Sequence, residues 1–213
     1  MVALLKTFDS CLQAVNDADS AQGLLDAVED LTSLKDERSI PTLIQVLGFN
    51  NPGAAVAAVE GLVQIGVPSV SHLLEKLDNY NYGARAWAIR ALAGIGDPRG
   101  QQLLLDAAAN DFSLSVRRAA ARGLGTIRWS DIEEDKRNVA MVRSLTTLLQ
   151  VTEDEEWVVR YAAVVGLEAL AMELTHSTHS TQITQCLSQL SHRDETAAVQ
   201  ARAQWALEKL SQK

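Results

Sequence analysis

Apolar residues recur at offsets of three, seven and ten from six starting positions along the chain. From Arg85 they are Ala88, Leu92 and Ile95, from Arg117 they are Ala120, Leu124 and Ile127, and from Arg160 they are Ala163, Leu167 and Leu170. The same pattern runs from Leu24 (Ala27, Leu31, Leu34), Ala55 (Ala58, Leu62, Ile65) and Gln200 (Ala203, Leu207, Leu210). Each residue of an α-helix turns by about 100°, so these offsets share one face. The first of the three is Ala every time, which predicts close approach of neighbouring helices. The starts lie 31, 30, 32, 43 and 40 residues apart, room for a helix, a turn and a second helix. Partner helices are visible between them, at Leu43, Ile44 and Leu47, at Leu73, Leu74 and Leu77, and at Leu103, Leu104 and Leu105. Others follow at Leu145, Leu148 and Leu149 and at Ile183, Cys186, Leu187 and Leu190, and a first one fits Leu4, Leu5, Phe8, Leu12 and Val15. Pro41, Pro68 and Pro98 stand where such helices begin, as first-turn prolines do. The pattern predicts an all-α fold, a right-handed α-α superhelix (solenoid) of six helical hairpins forming one domain over residues 1–213.

A second regularity accompanies the first. Six residues before the last four starts stand Asn79, Asp111, Asp154 and Asp194. Such a residue is suited to cap or orient the following helix and to lie near the starting Arg85, Arg117 or Arg160. The arrangement resembles HEAT repeats, in which Asp and Arg form an internal ladder along the stack. Gln200 breaks the ladder in the last repeat. Two polar insertions, 129–139 and 172–182, read as extended loops or extra turns.

Composition narrows the function. Among 213 residues there are 30 Ala and 29 Leu, only four Pro and 5% aromatics, which argues against a β-sandwich or barrel. A net charge of −8 argues against a general nucleic-acid binder. No apolar run reaches the roughly 18 residues of a membrane-spanning helix, and the N-terminal residues lack the core of a signal peptide. Two cysteines make neither a disulfide framework nor a zinc site, so a reducing cytoplasm is the expected compartment. Nucleophile-elbow, dinucleotide-binding, P-loop and metalloprotease motifs are all missing. His176 and His179 stand in a THSTHST stretch without close acidic or cysteine neighbours, which reads as a solvated loop; no metal is expected. Cys11 and Cys186 fall on apolar helix faces and read as inert packing.

One segment departs from this acidic background. Residues 83–128 hold seven arginines (85, 90, 99, 117, 118, 122 and 128) and three aspartates but no Lys or Glu, an excess of four positive charges. Arginine without lysine suits planar, bidentate recognition of carboxylate or phosphate. Arg90 and Arg122 occupy offset five of consecutive repeats, opposite the core face, and Arg118 lies one turn from Arg122. In a solenoid whose second helices line the concave side, these three face the groove and are suited to clamp a ligand with two carboxylates. The alternative for Arg90 is an ion pair with Glu60 at the same offset one repeat earlier. Tyr80, Tyr82 and Trp87 adjoin the cluster, and aromatics beside arginine suit either a flat acidic ligand or a protein interface.

The stretches YNYGARAWAIRALAGIGDPRG (80–100) and DFSLSVRRAAARGLGTIRW (111–129) resemble the F subunit of the E/F-type phycobilin lyases, heterodimeric HEAT-like proteins of cyanobacteria and red-algal plastids. The resemblance covers essentially the whole chain. It implies an enzyme that attaches phycocyanobilin through a thioether to a cysteine of the phycocyanin α subunit, with an E-type subunit as partner. The bilin is then substrate, and no tightly bound cofactor is implied. Arg90, Arg118 and Arg122 become the propionate candidates, and Tyr80, Tyr82 and Trp87 candidates for stacking or for the E/F interface. The resemblance names no catalytic residue. A bilin-isomerising relative carries adjacent His and Cys; no His adjoins a Cys here, so plain attachment is expected. The competing readings are a non-catalytic HEAT-like scaffold or chaperone for phycobiliproteins, and a chromophore-removing relative.

Overall fold

The computed structural model describes residues 6–76, 82–174 and 178–212. Among them are twelve α-helices and no strand, in two compact units, Met1–Ile95 and Gly96–Lys213. The first unit comprises α1 (Phe8–Asp17), α2 (Ala21–Ser33), α3 (Ile40–Val46), α4 (Pro52–Ile65), α5 (Val67–Lys76) and α6 (Tyr82–Ile95). The second comprises α7 (Gln101–Asn110), α8 (Leu114–Gly125), α9 (Glu134–Val151), α10 (Trp157–Glu173), α11 (Thr178–Arg193) and α12 (Ala197–Ser211). Consecutive helices pair as six hairpins. Each unit has two layers, because the even-numbered helices also pack on one another, α2 on α4 on α6 and α8 on α10 on α12.

The repeated offsets are where burial concentrates. Ala58, Ala88, Ala120, Ala163 and Ala203 at offset three are fully buried, as are Leu31, Leu62, Leu124 and Leu167 at offset seven. Offset ten is looser at the first, second and last repeats, where Leu34, Ile65 and Leu210 are half-buried. Leu4, Leu5 and Leu77 lie outside the described residues.

Local chemistry starts and ends the helices. Thr7 and Ser10 form a reciprocal capping box at α1, and the Ser20 hydroxyl accepts from Gly23 N–H at α2. Asn51 caps α4 by accepting from Ala54 N–H (3.1 Å), while its Nδ2 donates to the Ala21 carbonyl (2.9 Å) and so ties the second hairpin to the first. Pro41, Pro52 and Pro68 sit in first turns, whereas Pro98 opens a 3₁₀ turn just before α7. Gly96 has φ of 68°, and a Cβ there would stand 2.6 Å from the Thr126 carbonyl oxygen, so this turn requires glycine.

Of the two alternatives for the insertions, extended loops or extra turns, the described residues show extra turns. Trp129–Asp131 forms a 3₁₀ turn whose tryptophan is buried, and 134–139 is the start of an 18-residue α9 rather than a loop. Arg137 donates to the carbonyls of Trp129 (2.8 Å) and Ile132 (3.0 Å), which fastens the turn to the helix. In the second insertion α10 continues to Glu173, and His179 belongs to the first turn of α11, not to a solvated loop. His176 lies outside the described residues.

Candidate functional site

The Arg and Asp of each repeat take up separate duties in the second unit. Asp154 accepts from Glu156 N–H (2.9 Å) and Asp194 from Thr196 N–H (2.8 Å); Asp111 does the same with Ser113 N–H (2.9 Å). The aspartate therefore orders the turn two residues on instead of capping the helix N-terminus. Arg117 Nη1 donates to the backbone carbonyls of Asp111 (3.0 Å) and Phe112 (3.1 Å) of its own repeat. Its Nε and Nη2 reach the Asp154 carboxylate of the next repeat at 2.7 and 3.1 Å. Arg160 repeats this, with Nη1 on the Asp154 carbonyl (2.8 Å) and Nε and Nη2 on Asp194 (2.8 and 3.0 Å). Gln200 keeps only the bond within its own repeat, Nε2 to the Asp194 carbonyl at 2.6 Å. Burial on its own would raise the Asp194 carboxyl, but the Arg160 guanidinium and the Thr196 N–H outweigh it and hold the acid below its usual range. Arg85 is half-buried in α6, and Asn79 lies outside the described residues.

The three groove candidates, Arg90, Arg118 and Arg122, are exposed. Arg118 and Arg122 are exposed on successive turns of α8, and neither has an ion-pair or hydrogen-bond partner among the described residues. Two like charges four residues apart repel each other by a few tenths of a kcal/mol. Arg90 is exposed on α6 with its Cζ 5.4 Å from the ring of Trp87. It forms no ion pair with Glu60, which is itself exposed. Arg90 and Trp87 thus form one arginine–aromatic pair in the first unit, and Arg118 and Arg122 a cationic pair in the second. Tyr80 and the Tyr82 side chain lie outside the described residues.

Sequence reasoning missed a further cluster on α10 and α12. Trp205 is 51% exposed, with Arg202 Cζ 5.0 Å and Lys209 Nζ 4.2 Å from its ring centroid. Both cations are held by one buried carboxylate, Glu168, at 2.6 Å from Arg202 and 3.1 Å from Lys209. Arg202 also lies 6.0 Å from the ring of Tyr161. The available signal was position: Trp205 occupies offset five, like Arg90 and Arg122.

Neither cysteine is a poised nucleophile. Cys11 is buried, and burial pushes the half-buried Cys186 thiol up, away from the thiolate form. Among the described residues no group of three or more His, Cys, Asp or Glu could hold a metal ion, and no helix is long and apolar enough to cross a membrane. A cleft of about 510 Å³ in the first unit, lined by Ser20, Leu24, Gln45, Phe49 and Asn51, contains none of the arginines and lacks a cation for an acidic ligand.

Comparison with known proteins places this chemistry in a family. A family model for HEAT repeats matches residues 70–168. A phycobilisome maturation protein of Synechococcus elongatus is 52% identical over 94% of this chain and 96% of its own length. The phycocyanin alpha phycocyanobilin lyase CpcF of Synechocystis sp. is 49% identical over 93% and 92%. The chain belongs to the F-subunit family of the phycobilin lyases. Among solved structures, the complex of CpcE and CpcF of phycocyanin lyase from Nostoc sp. matches with a TM-score of 0.75 at 47% identity, covering 80% of this chain and 99% of that one. The all-α, HEAT-like fold is shared with these relatives.

Proposed function

We propose that this chain is the F-type subunit of a heterodimeric bilin lyase that attaches phycocyanobilin to a cysteine of the phycocyanin α subunit. The observation that carries this is the end-to-end relation to the phycocyanin alpha phycocyanobilin lyase of Synechocystis sp.. The solved complex of CpcE and CpcF supports an E-type subunit as the partner.

In the reaction the acceptor's thiol adds across the ethylidene double bond of the bilin A ring. A carbon–sulfur bond forms, and the thiol proton is replaced by one delivered to the bilin, so nothing is oxidised or reduced. The nucleophile comes from the acceptor, which accords with the unreactive setting of Cys11 and Cys186. The contribution of this chain is to hold a flexible, flat dianion in one conformation, an entropic gain that accelerates attack. Arg118 and Arg122, in the second unit, are the candidates for a bilin propionate, and Arg90 in the first unit, with Trp87 beside it, is a separate candidate for a propionate, for stacking or for subunit contact. Arg117 with Asp154 and Arg160 with Asp194 form an internal ladder that keeps the repeats of the second unit in register, with Asp111 ordering the turn before Arg117, and Arg85 holds the equivalent position of its own repeat in the first unit. The bilin passes through as substrate, with no resident cofactor, and the reaction belongs in the reducing cytoplasm, where free thiols persist.

The test is co-expression with apo-phycocyanin α subunit and a source of phycocyanobilin, with and without an E-type subunit. Covalent, acid-stable bilin fluorescence that requires both subunits is the expected result; none under any pairing overturns the assignment. Bilin release from a preloaded α subunit, without attachment, would make the chain a chromophore-removing relative. Arg90→Ala, Arg118→Ala and Arg122→Ala are expected to weaken bilin capture about tenfold each while leaving the helical content intact. Normal capture by all three refutes the propionate role.

A further inference from the structure

Resting on the lyase reading, we propose that α10 and α12 carry a second, aromatic half of the bilin site, in which Tyr161 and Trp205 stack on the conjugated rings. The Glu168–Arg202–Lys209 cluster is the positioning device behind Trp205.

Equivalent positions of the packed helices lay these groups in a row. At offset one stand Arg118 on α8, Tyr161 on α10 and Ala201 on α12; at offset five stand Arg122, Val165 and Trp205. The helices α8 and α10, and α10 and α12, pack directly on each other. With interaxial spacings of about 8–10 Å, the row from the arginines to the tryptophan runs about 20 Å across three helices. It begins with two cations, crosses a half-buried tyrosine and a small apolar valine, and ends on a half-exposed indole. A linear tetrapyrrole, with carboxylates on its inner rings, fits half of its length to this row: a propionate at the arginines places an outer conjugated ring toward Trp205.

The way Trp205 is held separates a built feature from an accident of surface. Both oxygens of Glu168 are used, one by each cation, and Glu168 and Arg202 are themselves buried. A buried ion pair is expensive to desolvate, and an apolar pair would pack here at no greater cost. What the charged arrangement adds is two cations fixed around the indole, so that a large side chain half in water keeps one orientation. It also leaves the row electropositive: Arg118, Arg122, Arg202 and Lys209 stand against two carboxylates, Glu168 and the exposed Glu208 one turn from Trp205, in a chain of net charge −8. The acidic side chains of Glu155 and Glu156 precede α10 by the turn, and the nine to ten residues to Val165 put about 15 Å of helix between them and the Trp205 level. Charge therefore favours an anionic occupant at this end, and the fixed, half-exposed indole of Trp205 favours a flat one.

The experiment uses the purified heterodimer with its E-type partner, phycocyanobilin as titrant and apo-phycocyanin α subunit as acceptor. Trp205→Ala is expected to raise the KM for bilin about tenfold, the loss typical of one stacking platform. It is expected to change the visible circular dichroism of bound bilin while leaving kcat, thermal stability and heterodimer recovery near wild type. Trp205→Phe restores most of the affinity. Glu168→Gln acts in the same direction, on KM and on the bilin dichroism, through a loosened Trp205. An unchanged KM and dichroism in a folded Trp205→Ala heterodimer overturns the proposal. So does loss of the heterodimer with bilin affinity retained, which reassigns this face to a protein partner. Because binding is read by absorbance apart from transfer, a wild-type heterodimer that binds bilin but never attaches it sinks the lyase reading without deciding this one.

Discussion

Arg160 shows how much one guanidinium does in this architecture. Nη1 closes its own turn while Nε and Nη2 bind the carboxylate of the following repeat, and both side chains of the Arg160–Asp194 pair are nearly inaccessible, at 8% and 3% exposure. Removing the cation leaves a buried carboxylate uncompensated. Arg160→Met is expected to cost about 3–4 kcal/mol in chemical denaturation, against about 1 kcal/mol for Gln200→Ala, which forfeits one neutral hydrogen bond. Equal losses would contradict the division of labour. The same pair sets an acid limit. Asp194 and Asp97, the latter held down chiefly by its hydrogen bond from Arg99, have folded-state values below the ordinary carboxylate range. Their contribution is complete above the unfolded-state value of about 4 and is lost as pH falls through the folded-state value. Stability is thus expected to be flat from pH 7 to about 5 and to drop below it, and Asp194→Asn should flatten that drop. The aspartates six residues before the last three starts were legible in the sequence. That Asp154 and Asp194 serve the arginine of the preceding repeat was not, because the pairing depends on how far one hairpin slides along the next.

At the scale of elements, the contact between α8 and α10 is as close as backbones allow. A Cβ on Gly125 would lie 2.3 Å from the Gly166 carbonyl oxygen, and one on Gly166 would lie 2.5 Å from that of Ala121. Helix propensity favours alanine over glycine by about 1 kcal/mol, so Gly125→Ala sets propensity against packing. The expected outcome is a loss of about 2–3 kcal/mol, because rigid backbone must move apart. An exposed substitution on the same helix, Arg118→Ala, should stay within about 0.5 kcal/mol. A stabilised Gly125→Ala would mean that the helices separate freely. The six second helices were legible from their offsets, since each presents a continuous apolar face to two neighbours. The beginning of α9 was hidden because 134–139 is polar on nearly every side and is held by Arg137 on backbone carbonyls, a contact with no periodic signature. Trp129 was hidden for the same reason: its burial comes from tertiary packing around a turn that reads as polar.

For the whole molecule, an acidic chain carries Arg90, Arg118 and Arg122 exposed on second helices, the first in one unit and the other two in the other. The sequence displayed those arginines as a run without lysine. It did not display the cluster around Trp205, whose members come from two helices and only meet when α10 and α12 pack. The ladder has a mechanical consequence as well. Its rungs join residues 37 and 34 positions apart, Arg117 to Asp154 and Arg160 to Asp194. Pulled from its ends in a single-molecule trap, the second unit should yield in repeat-sized jumps. At about 3.5 Å per extended residue these release about 130 Å and about 120 Å of contour. Arg160→Met should lower the force of the shorter jump and spare the longer one; a single, unbroken rip in both proteins would contradict this. Such stepwise yielding makes the two guanidinium clasps the places where the second unit can open one hairpin at a time and close again without losing count.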